Sequence, residues 1–343
     1  MYLIKKIDDE ESWQNFLTSL NKNTFLHSSQ WAKFNSKTNK VWKFGMFDKS
    51  TQELTSIALV IKIVAKRGTF LLIPHGPQHQ TEDFEEQKAL LQEWVKFLKE
   101  LSISEKCDFI RIQPIVLDTP QNQELFSQVG CRPAPIHVHT EFTSVVEIEE
   151  EAKMMMKMRK TTRQMIKKAQ KMLDSGELVL EFPSEISSQM HQVYQDTYKR
   201  GGAIAYQNEY IDREWEVFSK NGNAKMFTVY YQGKLISWGM VLICGKRAFY
   251  HQGGNILVKN APASYLMQWN GIKFASQKGC VSYDFWGVSK ESEPNHPWAN
   301  ISLFKRGFGG NDVALLHAQD YILSWKYWLN WIIEWHRARK RGF

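Results

Sequence analysis

The side chain best suited to catalysis in this 343-residue sequence is a lysine flanked by glycines. Lys305 lies in the segment Phe304-Lys-Arg-Gly-Phe-Gly-Gly310, just after a short helical pattern. A cation at a place where the backbone can be approached closely would stabilise negative charge on a reacting carbonyl oxygen, by about 3 kcal/mol for a well-placed donor. A helix that ends at glycine, with an ordinary lysine in its last turn, gives the same pattern. The motif alone leaves both interpretations open.

A second candidate is the carboxylate of Asp284. The stretch before it, residues 217–283, carries eight Lys or Arg residues and no Asp or Glu. Asp284 ends a predicted strand, where it could orient a substrate ammonium or a catalytic lysine. It could equally accept hydrogen bonds from the backbone of the turn that follows.

Histidines and cysteines give weaker signals. His137-Val-His139 places two imidazoles on one side of a predicted strand, as in a metal site, but the sequence shows no third ligand. His75 and His296 fit loop packing better than catalysis, and no Ser-His-Asp order or nucleophile elbow occurs. The four cysteines form no CxxC pair. We therefore predict neither a metal nor a cofactor.

Composition and charge narrow the class of protein. A hydrophobic content of 43% and a charged content of 23% are those of a folded globular protein. The formal charge of +8 is uneven, because residues 1–150 hold 17 Lys or Arg against 20 Asp or Glu, whereas residues 151–343 hold 27 against 16. This asymmetry fits either a polyanionic partner for the second half or a lysine-rich solvated surface. The N-terminus has no signal-peptide pattern, so we expect a cytoplasmic protein.

The densest basic segment is residues 153–171, which carries eight Lys or Arg and no acid. Its apolar positions recur at steps of three and four, which predicts one amphipathic helix about 28 Å long. The predicted buried stripe consists of Met155, Met158, Thr162, Met165, Ala169 and Met172. The basic outer face would contact phosphates or lie in solvent.

An internal repeat predicts the fold. A three-strand meander begins near Val41 and again near Ala224. Each copy is followed by a helical pattern, at residues 84–101 and 263–277, and then by a short strand. This order of elements resembles two tandem GNAT-like acyltransferase domains of the α/β (α+β) class.

The copies depart from that fold at the loop that binds coenzyme A. GNAT enzymes hold the pyrophosphate on a glycine-rich loop at a helix N-terminus. Here residues 258–264 contain no glycine, and residues 76–83 contain acids that would repel phosphate. We predict domains at residues 1–150 and 151–317, followed by a C-terminal helix at 318–343.

The C-terminal segment predicts an amphipathic helix that packs onto the protein. The face expected to be buried carries Tyr321, Trp325, Trp328, Ile332 and Trp335 at steps of four and three. The opposite face carries Lys326, Asn330 and Glu334, and the helix closes with Arg337, Arg339, Lys340 and Arg341. Tryptophans beside a basic end would equally suit a membrane surface.

Five motifs in order resemble the Fem (FemABX) family of aminoacyltransferases, in its short form without a coiled-coil arm. The motifs are His27-Ser-Ser-Gln-Trp31-Ala-Lys33, Ile73-Pro-His-Gly76-Pro77, Met158-Arg-Lys-Thr-Thr-Arg163-Gln-Met-Ile-Lys-Lys-Ala169, Tyr283-Asp-Phe-Trp-Gly287 and Phe304-Lys-Arg-Gly-Phe-Gly-Gly310. The family transfers amino acids from aminoacyl-tRNA to peptidoglycan precursors, and its fold is two GNAT-like domains. The resemblance also implies that the C-terminal helix packs back on the first domain.

The resemblance implies roles for individual residues. Lys305 would stabilise the tetrahedral intermediate and meet the tRNA end, Lys33 would contact the substrate diphosphate, and Tyr210 would line the precursor site. The predicted substrate contacts are Trp31, Lys33, Gly76, Pro77, Gln113, Arg200, Tyr206, Tyr210, Asp284 and Phe304. The predicted tRNA contacts are Lys160, Arg163, Lys167, Lys168 and Arg306.

The sequence departs from its relatives at two of these positions. Relatives often place a carboxylate in the strand that reads Ile112-Gln113-Pro114 here, so a group that would help to position or deprotonate the amine is replaced by an amide. Relatives place an arginine where this chain has Tyr206, and Arg200 could substitute for it.

We therefore predict a cytoplasmic monomer that joins an amino acid from aminoacyl-tRNA to the stem-peptide amine of a nucleotide-linked or lipid-linked precursor. Peripheral contact with the membrane is part of this expectation. Two alternatives stay open: a CoA-dependent N-acyltransferase, and a non-catalytic protein of the same fold that binds RNA or membranes.

Overall fold

The chain folds into two units, which a computed structural model describes at residues 2–65, 68–202, 204–220 and 222–341. The side chains of Lys340 and Arg341 lie outside that description, as do Gly342 and Phe343. One unit comprises Met1–Glu141 and Ala314–Phe343, and the other comprises Phe142–Val313. The boundaries differ from the predicted 150/151 and 317/318. Residues 142–147 form a strand of the second sheet. Residues 319–322, predicted as the start of the C-terminal helix, form a strand of the first sheet, and the helix begins at Tyr327.

The first unit begins with a meander and a helix, as the repeat predicts. Its N-terminal part contains β1 (Tyr2–Lys6), α1 (Glu10–Ser19), a 3₁₀ turn (Phe25–His27), α2 (Ser29–Ser36), β2 (Lys40–Asp48), β3 (Leu54–Ala65), β4 (Gly68–Pro74), β5 (Gln78–His79), α3 (Phe84–Ser104), β6 (Phe109–Gln113), α4 (Pro120–Gln128) and β7 (Arg132–Pro133). The β2–β4 strands pair antiparallel, and β6 then joins β4 in parallel. Helix α3 starts at an Asp83 cap and buries its predicted apolar face.

The second unit repeats this order. It contains β8 (Phe142–Glu147), α5 (Glu151–Lys157), α6 (Lys160–Asp174), β9 (Leu178–Glu181), α7 (Ser188–Arg200), α8 (Asn208–Ser219), β10 (Ala224–Tyr231), β11 (Lys234–Cys244), β12 (Arg247–Asn255), α9 (Ala263–Gln277), β13 (Ser282–Gly287), α10 (Ala299–Arg306) and β14 (Asn311–Ala314). The sheet order is β14-β8-β13-β12-β11-β10-β9.

The last part of the chain returns to the first unit as β15 (Gln319–Ile322) and α11 (Tyr327–Arg341). Strand β15 pairs with β6, so the first sheet runs β1-β2-β3-β4-β6-β15-β7, with β5 on β3. In each unit a further strand pairs with the second strand of the parallel pair: β15 with β6 in the first unit and β8 with β13 in the second. Both added strands come from segments outside the repeated block.

The predicted single helix over residues 153–171 is wrong, since the basic segment forms two helices. Met158 and Arg159 have extended backbone between α5 and α6. The amide of Arg159 donates to the carbonyl of Gly307, and its guanidinium donates to the carbonyl of Leu303, both at 3.0 Å. The break is thus fixed by contacts to α10 that the periodicity of the segment cannot reveal.

The predicted rotation of the C-terminal helix is also wrong. Tyr327, Asn330 and Glu334 of α11 are buried, whereas Trp325 and Trp328 are exposed. The reason lies under the helix: Arg111 of β6 is fully buried and draws Glu334 inward, with Nη2 2.9 Å from Oε2. An ionic contact, not apolar burial, sets which face of α11 meets the protein.

Within the described ranges, no helix is long and apolar enough to cross a bilayer.

Candidate functional site

The most open part of the second sheet lies between β12 and β13. These parallel strands pair only over Arg247–Phe249 and Ser282–Asp284. Strand β12 continues to Asn255, and over the described residues it makes no further pairing with β13. The matching strands of the first unit pair along the whole of β6. The divergence leaves backbone polar groups of two strands facing a gap, which suits the binding of a substrate carbonyl or amide.

Lys305 enters this gap from α10. Its side chain is 8% exposed, and its Nζ donates to the carbonyl oxygen of Gly287 at 2.7 Å. The same nitrogen lies 6.0 Å from the ring centre of Tyr250 on β12. Burial lowers the pKa of Lys305 to about 8, although the carboxylate of Asp284 acts in the opposite direction. The ammonium is therefore held between the two diverging strands and remains mostly protonated at neutral pH.

Phe304, the residue before this lysine, packs among aromatic rings of its own unit. Its ring lies edge-on to Tyr265, with 4.9 Å between centroids, and edge-on to Phe308, with 5.4 Å between centroids. The ring is half-buried. A contact between Phe304 and substrate stays a prediction.

Asp284 supports the lysine from β13. Its Oδ1 accepts hydrogen bonds from the Thr143 hydroxyl and, at 2.7 Å, from the Trp286 amide. Its Oδ2 lies 3.5 Å from the guanidinium of Arg247. Burial raises the pKa of Asp284, while Arg247 and the two hydrogen bonds oppose that shift. Both oxygens thus have partners within the unit, and a contact of Asp284 with substrate stays a prediction.

Trp286 adopts a backbone conformation that bulky residues rarely take, with φ of 62°. The strand register is broken at this point, between Asp284 and Gly287. Backbone strain of this kind costs about 1–3 kcal/mol and persists where surrounding contacts impose it. Here the amide is held by Asp284, and the ring packs edge-on against Phe249 and His251. The strained turn presents the Gly287 carbonyl to Lys305.

A buried acid lies on the other side of β12. Glu214 of α8 is 0% exposed, and its Oε1 lies 2.8 Å from Nε2 of His251. Its Oε2 accepts from the Gln252 amide at 2.9 Å, and Gln252 in turn accepts from the Tyr194 hydroxyl at 3.0 Å. Val241 pairs with Tyr250 and Met240 with Gln252, so His251 is the extra residue of a β-bulge. The bulge turns an imidazole towards the acid.

Two predicted precursor-site tyrosines meet beside this acid. The rings of Tyr206 and Tyr210 stack at 4.3 Å between centroids. Burial and the charge of Glu214 raise the pKa of both phenols, that of Tyr206 to about 12. Arg200 bonds to Asn255 at the end of β12, with 2.6 Å between Nη2 and Oδ1. All three predicted residues therefore lie within the second unit, and Arg200 is held at the far end of the open strand.

The predicted contacts in the first unit divide into exposed and structural residues. Lys33 is exposed on α2, whereas Trp31 is buried against Phe34. Gly76 lies so close to His27 that an added Cβ would sit 2.3 Å from the His27 ring, so the Gly76–Pro77 segment is packed backbone. Lys33 alone among these side chains is placed to reach a ligand.

Gln113 is fully buried at the end of β6 and clamps the backbone of His139. Its Nε2 donates to the His139 carbonyl at 2.5 Å, and its Oε1 accepts from the His139 amide at 2.9 Å. Both ends of the amide are thus used inside the protein. The prediction that Gln113 contacts substrate is not supported by this geometry, and a carboxylate could make only one of the two bonds.

Cations of the second unit line a cleft of about 340 Å³ near the break between α5 and α6. Its walls include Arg159, Lys290 and Arg306, and they also include the acids Glu291 and Glu293. Arg306 is held by Asp312 at 2.7 Å. Of the other predicted tRNA contacts, Lys160 and Lys167 are exposed, whereas Lys168 and Arg163 are half-buried. Arg163 donates to the Met158 carbonyl and so helps to stabilise the backbone between α5 and α6.

Three side chains of the first unit have potential metal-ligand atoms within 4.8 Å of one another: His137, Glu141 and His317. His317 directs Nδ1 at Glu141, 2.7 Å away, and Nε2 at the Ala134 carbonyl, 2.8 Å away. Burial lowers the pKa of His317, but the bonds to Glu141 and Ala134 outweigh it and raise the pKa above 6.5. Two acceptors fit a protonated imidazole, so the cluster is an ion pair. His139 lies elsewhere, beside Trp31, so the predicted histidine pair does not converge.

Comparison with known proteins gives two family models and a set of solved structures. Residues 9–128 match the FemAB family, and residues 156–296 match an acetyltransferase (GNAT) domain. A crystal structure of FemX is similar over 97% of this chain and 100% of its own, with a TM-score of 0.81 and 15% identity. No curated protein matches the chain in sequence.

Two further solved structures share the fold at greater distance. The C-terminal domain of a putative lysylphosphatidylglycerol synthetase from Agrobacterium fabrum is 11% identical, covers 96% of both chains and has a TM-score of 0.55. A tandem GNAT protein from the clavulanic acid biosynthesis pathway is 9% identical, covers 93% of this chain and 98% of its own, and has a TM-score of 0.52. The predicted tandem GNAT-like fold and the predicted Fem resemblance are confirmed.

Sequence reasoning missed several residues of this site. The residues without a usable signal are Thr143, Glu214, Arg247, His251 and Gln252. Four of them take their positions from a strand pairing or a bulge, and Glu214 of α8 meets two of these across distant segments. Arg247 was indirectly marked, as one of the eight cations of the acid-free stretch before Asp284.

Proposed function

We propose that the chain is a member of the Fem family, whose model matches residues 9–128, and that it transfers an amino acid from aminoacyl-tRNA to the stem-peptide amine of a peptidoglycan precursor. Family and fold point to an acyltransferase. The observation that carries the finer proposal is Lys305, a buried ammonium placed between two diverging strands of the second sheet.

The reaction is aminolysis of an ester. The acceptor amine attacks the carbonyl carbon of the aminoacyl ester, a C–N bond forms, and the carbonyl oxygen becomes negatively charged. The tetrahedral intermediate then breaks its bond to the ribose oxygen of the tRNA, which leaves and takes up a proton. Each stage places negative charge on an oxygen, so a fixed cation in a site removed from water lowers the barrier.

Lys305 meets the requirements for that cation. An ammonium has three N–H donors, and the bond to Gly287 uses one of them. The remaining donors can turn to the carbonyl oxygen of a bound ester. Asp284 keeps the pKa of Lys305 from falling further, so the cation persists in a buried place. A pKa of about 8 also allows Lys305 to give its proton to the leaving alkoxide.

The acceptor amine must lose a proton to attack. An unperturbed lysine amine has a pKa near 10.4, so neutral amine is scarce at neutral pH. Gln113 occupies the position where relatives carry a carboxylate, and its amide is committed to His139. We therefore assign the proton to an acceptor on the substrates, a precursor phosphate or a ribose hydroxyl.

The tRNA would be held by the basic surface of the second unit. The first turn of α6 contains no acid and has no side-chain cap, and it begins at Arg159 and Lys160. Cations at a helix N-terminus repel the positive end of the helix dipole, and a bound phosphate removes that penalty. The guanidinium of Arg159 donates to the Leu303 carbonyl of α10, so a phosphate bound at the start of α6 would lie near the helix that carries Lys305. The donor tRNA implies that the protein acts in the cytoplasm.

The test is incubation of the purified protein with a mixture of charged tRNAs and a soluble nucleotide-linked precursor, followed by mass spectrometry of the precursor. We expect a mass gain of one amino acid that disappears after treatment with RNase. A precursor that gains no mass with any charged tRNA would contradict the proposal.

The match of residues 156–296 to an acetyltransferase domain supports a second candidate, a CoA-dependent N-acyltransferase. The segment before α9 weighs against it, because residues 258–262 contain no glycine. Acetyl-CoA binding measured by calorimetry discriminates the two, and we expect no heat of binding.

A further inference from the structure

The C-terminal helix presents a large apolar surface to solvent. The exposed side chains are Trp325, Trp328, Leu329, Ile332 and Ile333, which we call the α11 face; their exposed fractions run from 37% for Ile333 to 71% for Trp325. Single exposed apolar residues are ordinary, but five adjacent large ones, four on α11 and Trp325 in the turn just before it, indicate a binding surface. We propose that the α11 face docks on an anionic lipid bilayer. The proposal does not depend on the transferase activity.

The orientation of this face is fixed from within. Arg111 holds Asp320 of β15 with two hydrogen bonds of 2.8 Å and reaches Glu334 of α11 with a third of 2.9 Å. The Tyr327 hydroxyl donates to the same Asp320 at 3.1 Å. Rotating the apolar side inward would leave a buried guanidinium without one of its carboxylates, which is strongly unfavourable. The buried ion pairs of Arg111 therefore fix the exposure of the apolar side of α11.

The charged groups around the α11 face are cations. Helix α11 carries a single acid, Glu334, and that acid is buried. Its exposed charges are Arg337 and Arg339, and the sequence adds Lys340 and Arg341. Arg132 lies over the Trp328 ring at 4.8 Å, and Arg339 lies over the Trp335 ring at 4.0 Å. The apolar side chains are thus bordered by guanidinium groups.

This combination fits a bilayer surface better than a second copy of the chain. Tryptophan favours the headgroup level, and arginine pairs there with phosphate while its stem stays in apolar surroundings. Two copies meeting through this face would bring cations together with no acid of α11 to pair them. A 15-residue helix is too short to span, so it would lie in the plane of the surface.

The experiment is co-sedimentation of the full chain with vesicles of phosphatidylglycerol and phosphatidylcholine, compared with vesicles of phosphatidylcholine alone. We expect binding to the anionic vesicles that weakens as salt rises. The Trp328→Ser/Ile332→Ser double variant should bind at least about tenfold more weakly, because it removes two apolar side chains that would enter the bilayer surface. Both side chains are exposed, so the substitutions should leave the fold intact. Val64→Ser/Ile103→Ser, two exposed apolar residues of the same unit outside α11, is the matched control and should bind normally.

A second variant separates charge from apolar contact. Arg337→Glu/Arg339→Glu should lose binding to anionic vesicles while the apolar residues stay in place. The proposal is overturned if the wild-type chain sediments with neither vesicle. It is also overturned if sedimentation equilibrium shows that the wild type is a dimer and that the Trp328→Ser/Ile332→Ser variant is a monomer. The α11 face would then join two copies of the chain, whereas the prediction is a monomer that binds a membrane.

Discussion

The ammonium of Lys305 donates to the carbonyl oxygen of Gly287 across 2.7 Å, at the point where a strained turn ends β13. Asp284 holds this turn by accepting a hydrogen bond from the Trp286 amide, and its carboxylate also raises the pKa of Lys305. One acid therefore sets both the position of the lysine's acceptor and the charge state of the lysine. This coupling makes the site testable by pH.

The rate of aminoacyl transfer should fall as the pH rises through about 8. The pKa of Lys305 is lowered to about 8 by burial, so its ammonium is present below that pH and lost above it. In Lys305→Arg the side chain stays charged at every accessible pH, so the decline should disappear even if the maximal rate is lower. Single-turnover rates between about pH 6 and 10 measure this. An unchanged decline in Lys305→Arg would assign it to another group.

Replacing Asp284 by Asn should move that decline to lower pH. The Asp284 carboxylate raises the pKa of Lys305, so removing its charge lets the lysine lose its proton earlier. Thr143→Val is the control, because it removes a hydrogen bond to Asp284 and leaves the charge. If the decline occurs at the same pH in Asp284→Asn and in the wild type, the two groups are not coupled.

The buried ion pair under α11 should dominate the stability of the first unit. Arg111→Met leaves Asp320 and Glu334 buried without a cation, at a cost of about 3–5 kcal/mol in the free energy of unfolding. Arg132→Met removes a cation that lies over an exposed Trp328 ring, and it should cost about 0.5 kcal/mol or less. Denaturant titration compares the two variants. Equal stabilities would mean that Arg111 does not anchor the helix.

The basic face of α6 should account for part of the salt dependence of tRNA binding. Lys160→Ala with Lys167→Ala should weaken aminoacyl-tRNA binding and lower the slope of log K against log salt by about 1 for each phosphate that is no longer neutralised. The control removes two exposed lysines of the first unit, Lys22 and Lys49. Filter binding at several salt concentrations gives the slopes, and identical slopes for both variants would place the tRNA elsewhere.

The repeated meander, helix and parallel strand could be predicted from sequence because periodicity is local. Helix α9 has the predicted bounds, Ala263–Gln277, and α3 extends three residues past the predicted Leu101. The rotation of α11 could not be predicted, since Arg111 and Glu334 lie 223 residues apart and their pairing overrides the apolar period. The break at Arg159 escaped for the same reason, because its partner is Gly307.

The site was predicted unevenly. Lys305 and Asp284 could be singled out from glycine spacing and from the isolation of one acid in a basic stretch. The sequence allows Asp284 to orient a catalytic lysine, but it does not show how, because the arrangement depends on a bulge in β13 and on Thr143, which reaches Asp284 from β8. Gln113 is the opposite case. The motif predicts a substrate contact at this position, but the side chain forms hydrogen bonds with the backbone of His139.

If Lys305 stabilises the transition state of aminoacyl transfer, as we propose, Lys305→Ala should slow the reaction, and single-turnover rates of the variant and the wild type measure this. We predict that the rate falls by about 10²–10³-fold, with precursor binding by calorimetry within about twofold of the wild type. A rate near that of the wild type, or a weakening of precursor binding equal to the fall in rate, would contradict the account.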